Sequence, residues 1–114
     1  MRVSSWVSNG VAYVGLEGDL DLASALDVDL TLRELERQEP RVIQLDLRDV
    51  SFLDSSGVRL ILEADTRARE TDRRLVLVRG PESVDRVFRI TLLDRRLEFV
   101  DEPIPSEGSK QTKG

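Results

Sequence analysis

The sequence predicts an α/β fold: one domain in which a mixed β-sheet is flanked by α-helices, in the order β-β-α-β-α-β-α-β. Three observations predict it. The chain has 114 residues, room for one ordinary core and too few for two. Short apolar runs of strand length alternate with longer stretches whose apolar residues recur every three or four positions. An Asn-Gly pair separates the first two runs, a hairpin signal, whereas each later run is separated from the next by a whole helical stretch, which demands crossover connections.

The elements follow in order. Residues 3–7 read as a strand, Ser8-Asn9-Gly10 as a turn, and residues 11–16 as a second strand. From Leu22 to about Arg37 the period changes: Ala25, Val28, Leu32 and Leu35 recur at helical spacing with Leu26 and Leu30 flanking them, and Pro40 ends the helix. Residues 42–47 are a strand and 49–56 a loop. Ser55-Ser56-Gly57 opens a second helix to about Glu70, with Val58, Leu60, Ile61, Leu62, Ala64 and Ala68 as its apolar residues. Residues 75–78 form a continuous apolar run, as for a strand covered on both faces. Gly80-Pro81-Glu82-Ser83 turns into a third helix, with proline near its first position and acid in its first turn, which buries Val84, Val87 and Phe88. Residues 97–100 are the last strand. The core is expected to hold Leu45, Leu47, Ile61, Val76 and Val78 between sheet and helices. The domain is expected to span residues 1–100, and residues 101–114, apolar only at Ile104, to be a disordered tail.

Composition narrows the chemistry. There is no cysteine and no histidine, which removes disulfides, thiolate nucleophiles, the usual general base and most transition-metal sites. The 22 acidic residues outnumber the 17 basic ones for a net charge of −5, against nucleic-acid binding. No apolar run approaches the ~18 residues of a membrane span, and the N-terminus lacks an apolar signal core. A cytoplasmic, soluble chain without membrane attachment is expected. Both lysines, Lys110 and Lys113, lie in the last five positions, so no lysine chemistry is available inside the fold. The arginine bias reads as a GC-rich coding sequence rather than as phosphate binding.

Sites in sheets of this kind gather where strands end and helices begin, here residues 17–22, 51–57 and 79–83. The segment Phe52-Leu53-Asp54-Ser55-Ser56-Gly57 is the most informative. It sets two hydroxyls and a carboxylate at a helix N-terminus, where free amides and the helix dipole favour a carboxylate or a phosphate. Asp54 or Ser55 can serve there as a simple N-cap. The Gly-x-Ser-x-Gly elbow of hydrolases is absent, and without histidine no base activates a serine. A receiver-type phosphoacceptor is excluded too: no acid pair follows the first strand and no lysine lies inside the fold. A P-loop is excluded because Gly-x-x-x-x-Gly-Lys-Ser/Thr does not occur. No catalytic residue, cofactor or metal site is expected. What remains is a serine that another protein modifies.

Three segments in order resemble the STAS domain of anti-sigma factor antagonists: Leu16-Glu17-Gly18-Asp19-Leu20-Asp21-Leu22-Ala23-Ser24-Ala25; Leu45-Asp46-Leu47 through Phe52-Leu53-Asp54-Ser55-Ser56-Gly57-Val58; and Arg79-Gly80-Pro81 before Val84, Val87 and Phe88. The likeness spans about residues 3–100. It implies a partner switch that regulates sigma-factor-dependent transcription. The unmodified antagonist binds a cytosolic anti-sigma factor that is also a serine kinase. Phosphorylation of the serine after the aspartate releases the antagonist, and a metal-dependent phosphatase of the PP2C type resets it. Ser55 matches that serine, with Ser56 as the second choice and as a helix cap. Asp19, Asp21, Asp54, Ser56, Gly57 and Arg59 are the implied partner-binding positions, on a chain expected to be a monomer or weak dimer. The chain departs from the family in Gly57-Val58-Arg59, where Gly-Leu-Gly is common, and in lacking a helical period after Asp101. The same family also implies an alternative, a scaffold or accessory subunit of a stress-sensing complex or lipid transporter.

Overall fold

Asn9 and Gly10 take positive φ angles of 52° and 80°, the geometry of a two-residue hairpin turn. They join β1 (Arg2–Ser8) to β2 (Val11–Leu20) in antiparallel register, with Trp6 opposite Tyr13. The computed structural model describes residues 1–105, and beyond the hairpin it runs α1 (Leu22–Glu36), β3 (Val42–Leu53), α2 (Ser55–Glu70), β4 (Arg74–Val78), α3 (Glu82–Ile90), a 3₁₀ turn at Leu93–Arg95, and β5 (Glu98–Val100).

The five strands lie side by side in chain order, and β2 to β5 are all parallel. Right-handed crossovers that always step in the same direction deliver every helix to one face of the sheet. The packing agrees. Val28, Leu32 and Leu35 of α1, Leu60, Ile61 and Ala64 of α2, and Val84 and Phe88 of α3 share one core with Val14, Leu45, Leu47 and Leu77 of the strands. Each fully buried side chain of this size contributes about 1.5–3 kcal/mol. Phe88 meets Phe99 edge to face at 5.1 Å between ring centres. Arg67 closes the layer by gripping Glu36 with two hydrogen bonds of 2.9 Å, tying α2 to α1.

β4 is buried on both faces as expected, but helices cover only one of them, which corrects the expected placing of Val76 and Val78 between sheet and helices. Side chains alternate along a strand. Leu75 and Leu77 therefore face the helices, while Val76 and Val78 point to the outer face and do not lie between sheet and helices. Val76 belongs instead to a second, smaller cluster with Val11 and Val42, which Val100 and Ile104 cover. Leu45, Leu47 and Ile61 are buried as expected. Val87 is only half-buried.

Two strands exceed their expected length. β2 runs on to Leu20 and β3 to Leu53, so the expected loop at 49–53 is strand. Their pairing survives two register shifts, between Gly15 and Glu17 and between Gly18 and Asp19. Such bulges break the period-2 pattern, which is why Val50 and Leu53, both buried, did not read as one strand face.

The outer face is polar at its centre. Tyr13 donates a 2.5 Å hydrogen bond to Asp46, whose carboxylate also takes two hydrogen bonds, of 2.9 and 3.0 Å, from the Arg48 guanidinium. Burial, then the Asp46 carboxylate, pushes the Tyr13 phenol up to about 12. Burial alone would raise Asp46, but bonding from Arg48 and Tyr13 outweighs it and holds the acid below its ordinary value. Residues 101–105 also cross this face, with Asp101 paired to Arg79 and Ile104 held by Gln44. The expected boundary at residue 100 thus falls short of these contacts. The rest of the expected disordered tail, residues 106–114, lies outside the described residues.

Candidate functional site

Leu20 and Leu53 are register partners at the ends of β2 and β3. Each is followed by an aspartate that caps the next helix. Asp21 caps α1 in a reciprocal box: its Oδ1 accepts from the Ser24 amide at 3.1 Å, and its own amide donates to Ser24 Oγ at 3.0 Å. Asp54 caps α2, its Oδ1 accepting from the amides of Ser56 at 2.8 Å and Gly57 at 3.2 Å. Two parallel crossovers therefore place two carboxylates and two helix N-termini side by side. The Asp54 amide donates to the Leu20 carbonyl at 3.3 Å, fastening one turn to the other.

Gly57 sets how closely α2 approaches. A Cβ there would lie 2.8 Å from the Leu20 carbonyl oxygen and 2.6 Å from a Leu53 methyl. Only glycine lets the first turn of α2 seat against β2. Gly57 is itself buried. Expected among the partner-binding positions, it acts through this seating.

Ser55 is the first residue of α2 and is exposed, and among the described residues no hydrogen bond reaches its hydroxyl. The cap is Asp54; Ser56, expected to serve as one, only donates its amide to it. The amides that could hold a carboxylate or a phosphate at this N-terminus thus already hold the chain's own carboxylate. A phosphate added at Ser55 would meet the negative charge of Asp54 there.

Ser55, Ser56 and Arg59 line one cleft of about 300 Å³ between α1 and α2, together with Leu22, Leu26 and Glu63. Arg59 is exposed, one turn from Ser55, and pairs with no acid among the described residues. Asp19 and Asp21 do not join this cleft. They line a neighbouring hollow with Met1, Val3 and Asp27, on the other side of the start of α1.

The sequence reading placed Leu26 and Leu30 beside the buried face of α1. They are 65% and 56% exposed, and Leu22 is 77% exposed. Spaced by four, these three leucines form their own stripe along the helix, displaced from the stripe of Val28, Leu32 and Leu35 that is buried. That second stripe was the available signal. Phe52, two residues before Asp54, is 52% exposed and adds apolar surface near the end of β3. Among the described residues no cluster of acids converges to hold a metal ion, and no helix is long and apolar enough to cross a membrane.

A mixed five-stranded sheet in chain order, with helices on one face and an exposed serine just after the Asp54 cap that follows its central strand, defines a small α/β fold, and comparison with known proteins gives it a family. The STAS domain model matches residues 3–104, and the chain belongs to the STAS domain family. Among curated relatives, the anti-sigma-B factor antagonist of Listeria monocytogenes is 31% identical over 82 residues, covering 72% of each chain. Among solved structures, an anti-sigma factor antagonist from Mycobacterium paratuberculosis superimposes with a TM-score of 0.75 at 24% identity, over 89% of this chain and 86% of that one. The Bacillus cell fate determinant SpoIIAA, solved in its phosphorylated form, gives 0.69 at 21%, over 89% and 93%. These two structural likenesses concern the fold.

Proposed function

We propose that this chain is an anti-sigma factor antagonist: it binds an anti-sigma factor that is also a serine kinase, and phosphorylation of Ser55 releases it. The observation that carries the reading is that the exposed Ser55 hydroxyl shares one cleft with the exposed Leu22 and Leu26. A partner that docks on those leucines covers the serine as well. Exposed leucines rimmed by polar groups suit a protein partner. The fold suits the reading too, because it is shared with a protein known in a phosphorylated form.

The chemistry of release is electrostatic. A phosphate brings about −1.5 to −2 charges to a helix start whose amides already serve Asp54. It adds repulsion and a desolvation cost at the centre of the docked surface. Ser56 and Arg59 supply the polar rim of that centre, and Asp19 and Asp21 extend the surface across the start of α1. A PP2C-type phosphatase would restore the unmodified form.

The test is a set of full-length variants titrated against the kinase-type anti-sigma factor, with labelled ATP transfer in parallel. Ser55→Ala should bind as the wild type does and accept no phosphate. Ser55→Glu should weaken binding on the order of tenfold (~1.4 kcal/mol), less than full phosphorylation because it carries a single charge. Label retained in Ser55→Ala but lost in Ser56→Ala would move the acceptor by one residue. If no anti-sigma factor binds the unmodified chain, the antagonist reading fails and the scaffold or transporter-subunit reading replaces it.

A further inference from the structure

The most tightly specified contact outside the candidate site lies on the outer face of the sheet, where Gln44 meets the backbone of Ile104. Gln44 is 2% exposed. Both ends of its carboxamide are spent on one residue: Nε2 donates to the Ile104 carbonyl at 2.7 Å, and Oε1 accepts from the Ile104 amide at 2.6 Å. A buried primary amide that pairs with a main-chain amide in this two-way fashion reads a peptide backbone without regard to side chain. The side chain is read separately, by the apolar floor of Val11, Val42 and Val76.

The sequence of the strap fits this reader. It is Pro103-Ile104-Pro105, and neither proline carries an amide hydrogen. A segment lying across a sheet face, rather than along an edge, cannot give its amides to the ladder. In Pro-Ile-Pro only one amide is left to satisfy, and Gln44 satisfies it. The prolines also hold the segment extended before it docks, which lowers the entropy lost on docking. A hollow of about 360 Å³ adjoins the strap, walled by Trp6, Tyr13 and Arg48. Trp6 and Tyr13 stack there with ring centres 4.3 Å apart, and aromatic walls of this kind suit proline rings.

We propose that the outer face of the sheet is a peptide-binding site for an extended Pro-aliphatic-Pro segment, filled in cis by Pro103-Ile104-Pro105 acting as a displaceable strap. Gln44 is the third residue of β3, whereas Ser55 lies two residues beyond its last, so the groove lies at the far end of that strand from the candidate site. The two surfaces can be occupied at once. The proposal does not rest on the antagonist reading.

The test uses the full chain and its single tryptophan, which lines the hollow. In Ile104→Asp the strap should leave the groove and change Trp6 emission. A synthetic peptide with the sequence of residues 101–105 should then bind this variant, while the same peptide with aspartate for isoleucine should not. Wild type should bind the peptide about tenfold more weakly, because a short tether holds the cis strap at an effective concentration on the order of millimolar. Adding Gln44→Leu to Ile104→Asp should abolish binding. Equal affinity of wild type and Ile104→Asp, or binding that survives without Gln44, would overturn the proposal. In wild type alone, the Ile104 amide should exchange its hydrogen at least about tenfold more slowly than an open amide, as expected for a buried bond that opens locally; unprotected exchange overturns the strap. A concentration-dependent dimer that Ile104→Asp dissolves would overturn the cis assignment in favour of a second copy.

Discussion

The α-carbon of Gly57 faces the carbonyl of Leu20 so closely that an added methyl would sit 2.8 Å from that oxygen. The contact is with backbone, which cannot swing aside, and a Leu53 methyl blocks the other way out. Gly57→Ala should therefore push the first turn of α2 off β2 and cost about 1–3 kcal/mol. Urea unfolding gives the loss, and chemical-shift changes centred on Leu20, Leu53 and Ser55 give its place. A variant as stable as wild type would show that the two strand ends are not held as described.

Asp54→Ala removes the cap of α2 and should cost about 0.5–2 kcal/mol. Asp54→Asn keeps an acceptor and should recover most of that stability while removing the charge. If the carboxylate also contributes to release, phosphorylated Asp54→Asn should keep more affinity for the partner than the phosphorylated wild type. Equal loss in both would confine Asp54 to capping.

Ile61 is fully buried in the helix layer, so Ile61→Ala should lose about 2–5 kcal/mol in denaturant unfolding. A loss under about 0.5 kcal/mol would place the wrong face of α2 against the sheet.

Leu26→Asp should leave stability within about 0.5 kcal/mol of wild type, since the side chain is mostly in water. It should nonetheless remove most binding to the anti-sigma factor. Calorimetric titration beside thermal unfolding separates the two effects, and unchanged binding would take the leucine stripe out of the interface.

Tyr13 is the single tyrosine, so its phenolate absorbance reports one group. Burial and the bond to Asp46 raise it to about 12, above the ordinary value of about 10. The folded state therefore holds this proton more tightly than the unfolded chain. Its contribution to stability is complete below about pH 10 and is lost as pH rises toward 12. Asp46→Asn should lower the midpoint, and a wild-type midpoint near 10 would show that the phenol is not held by Asp46.

Element types were legible because each carried its own period: the Asn9-Gly10 turn, the three-and-four spacing of Val28, Leu32 and Leu35, and the apolar run before Arg79. Ser55 at a helix start was legible from Asp54-Ser55-Ser56-Gly57. What the sequence hid depends on contacts between elements. The register shifts between β2 and β3 disguised residues 49–53 as loop, because Asp49, Ser51 and Phe52 face solvent while Val50 and Leu53 pack. The outward turn of Val76 follows from all crossovers stepping the same way, which no local pattern encodes. Leu26 and Leu30 looked like flanks of the core because a leucine shows its period and not its neighbours.

Sequential strand order also governs the time course of assembly. Every neighbouring strand pair in the sheet is joined by a hairpin turn or by one helical crossover, the last with an added 3₁₀ turn, whereas the Gln44–Ile104 bonds close a separation of 60 residues. Local contacts form fast and distant ones slowly, and a chain emerging from the ribosome folds from its N-terminal side. Hairpin, α1, β3 and the Asp54-capped start of α2 can thus be in place while the C-terminal strap is still being made. The surface around Ser55 would then form before the strap docks, and docking of the strap is expected to close folding rather than to nucleate it.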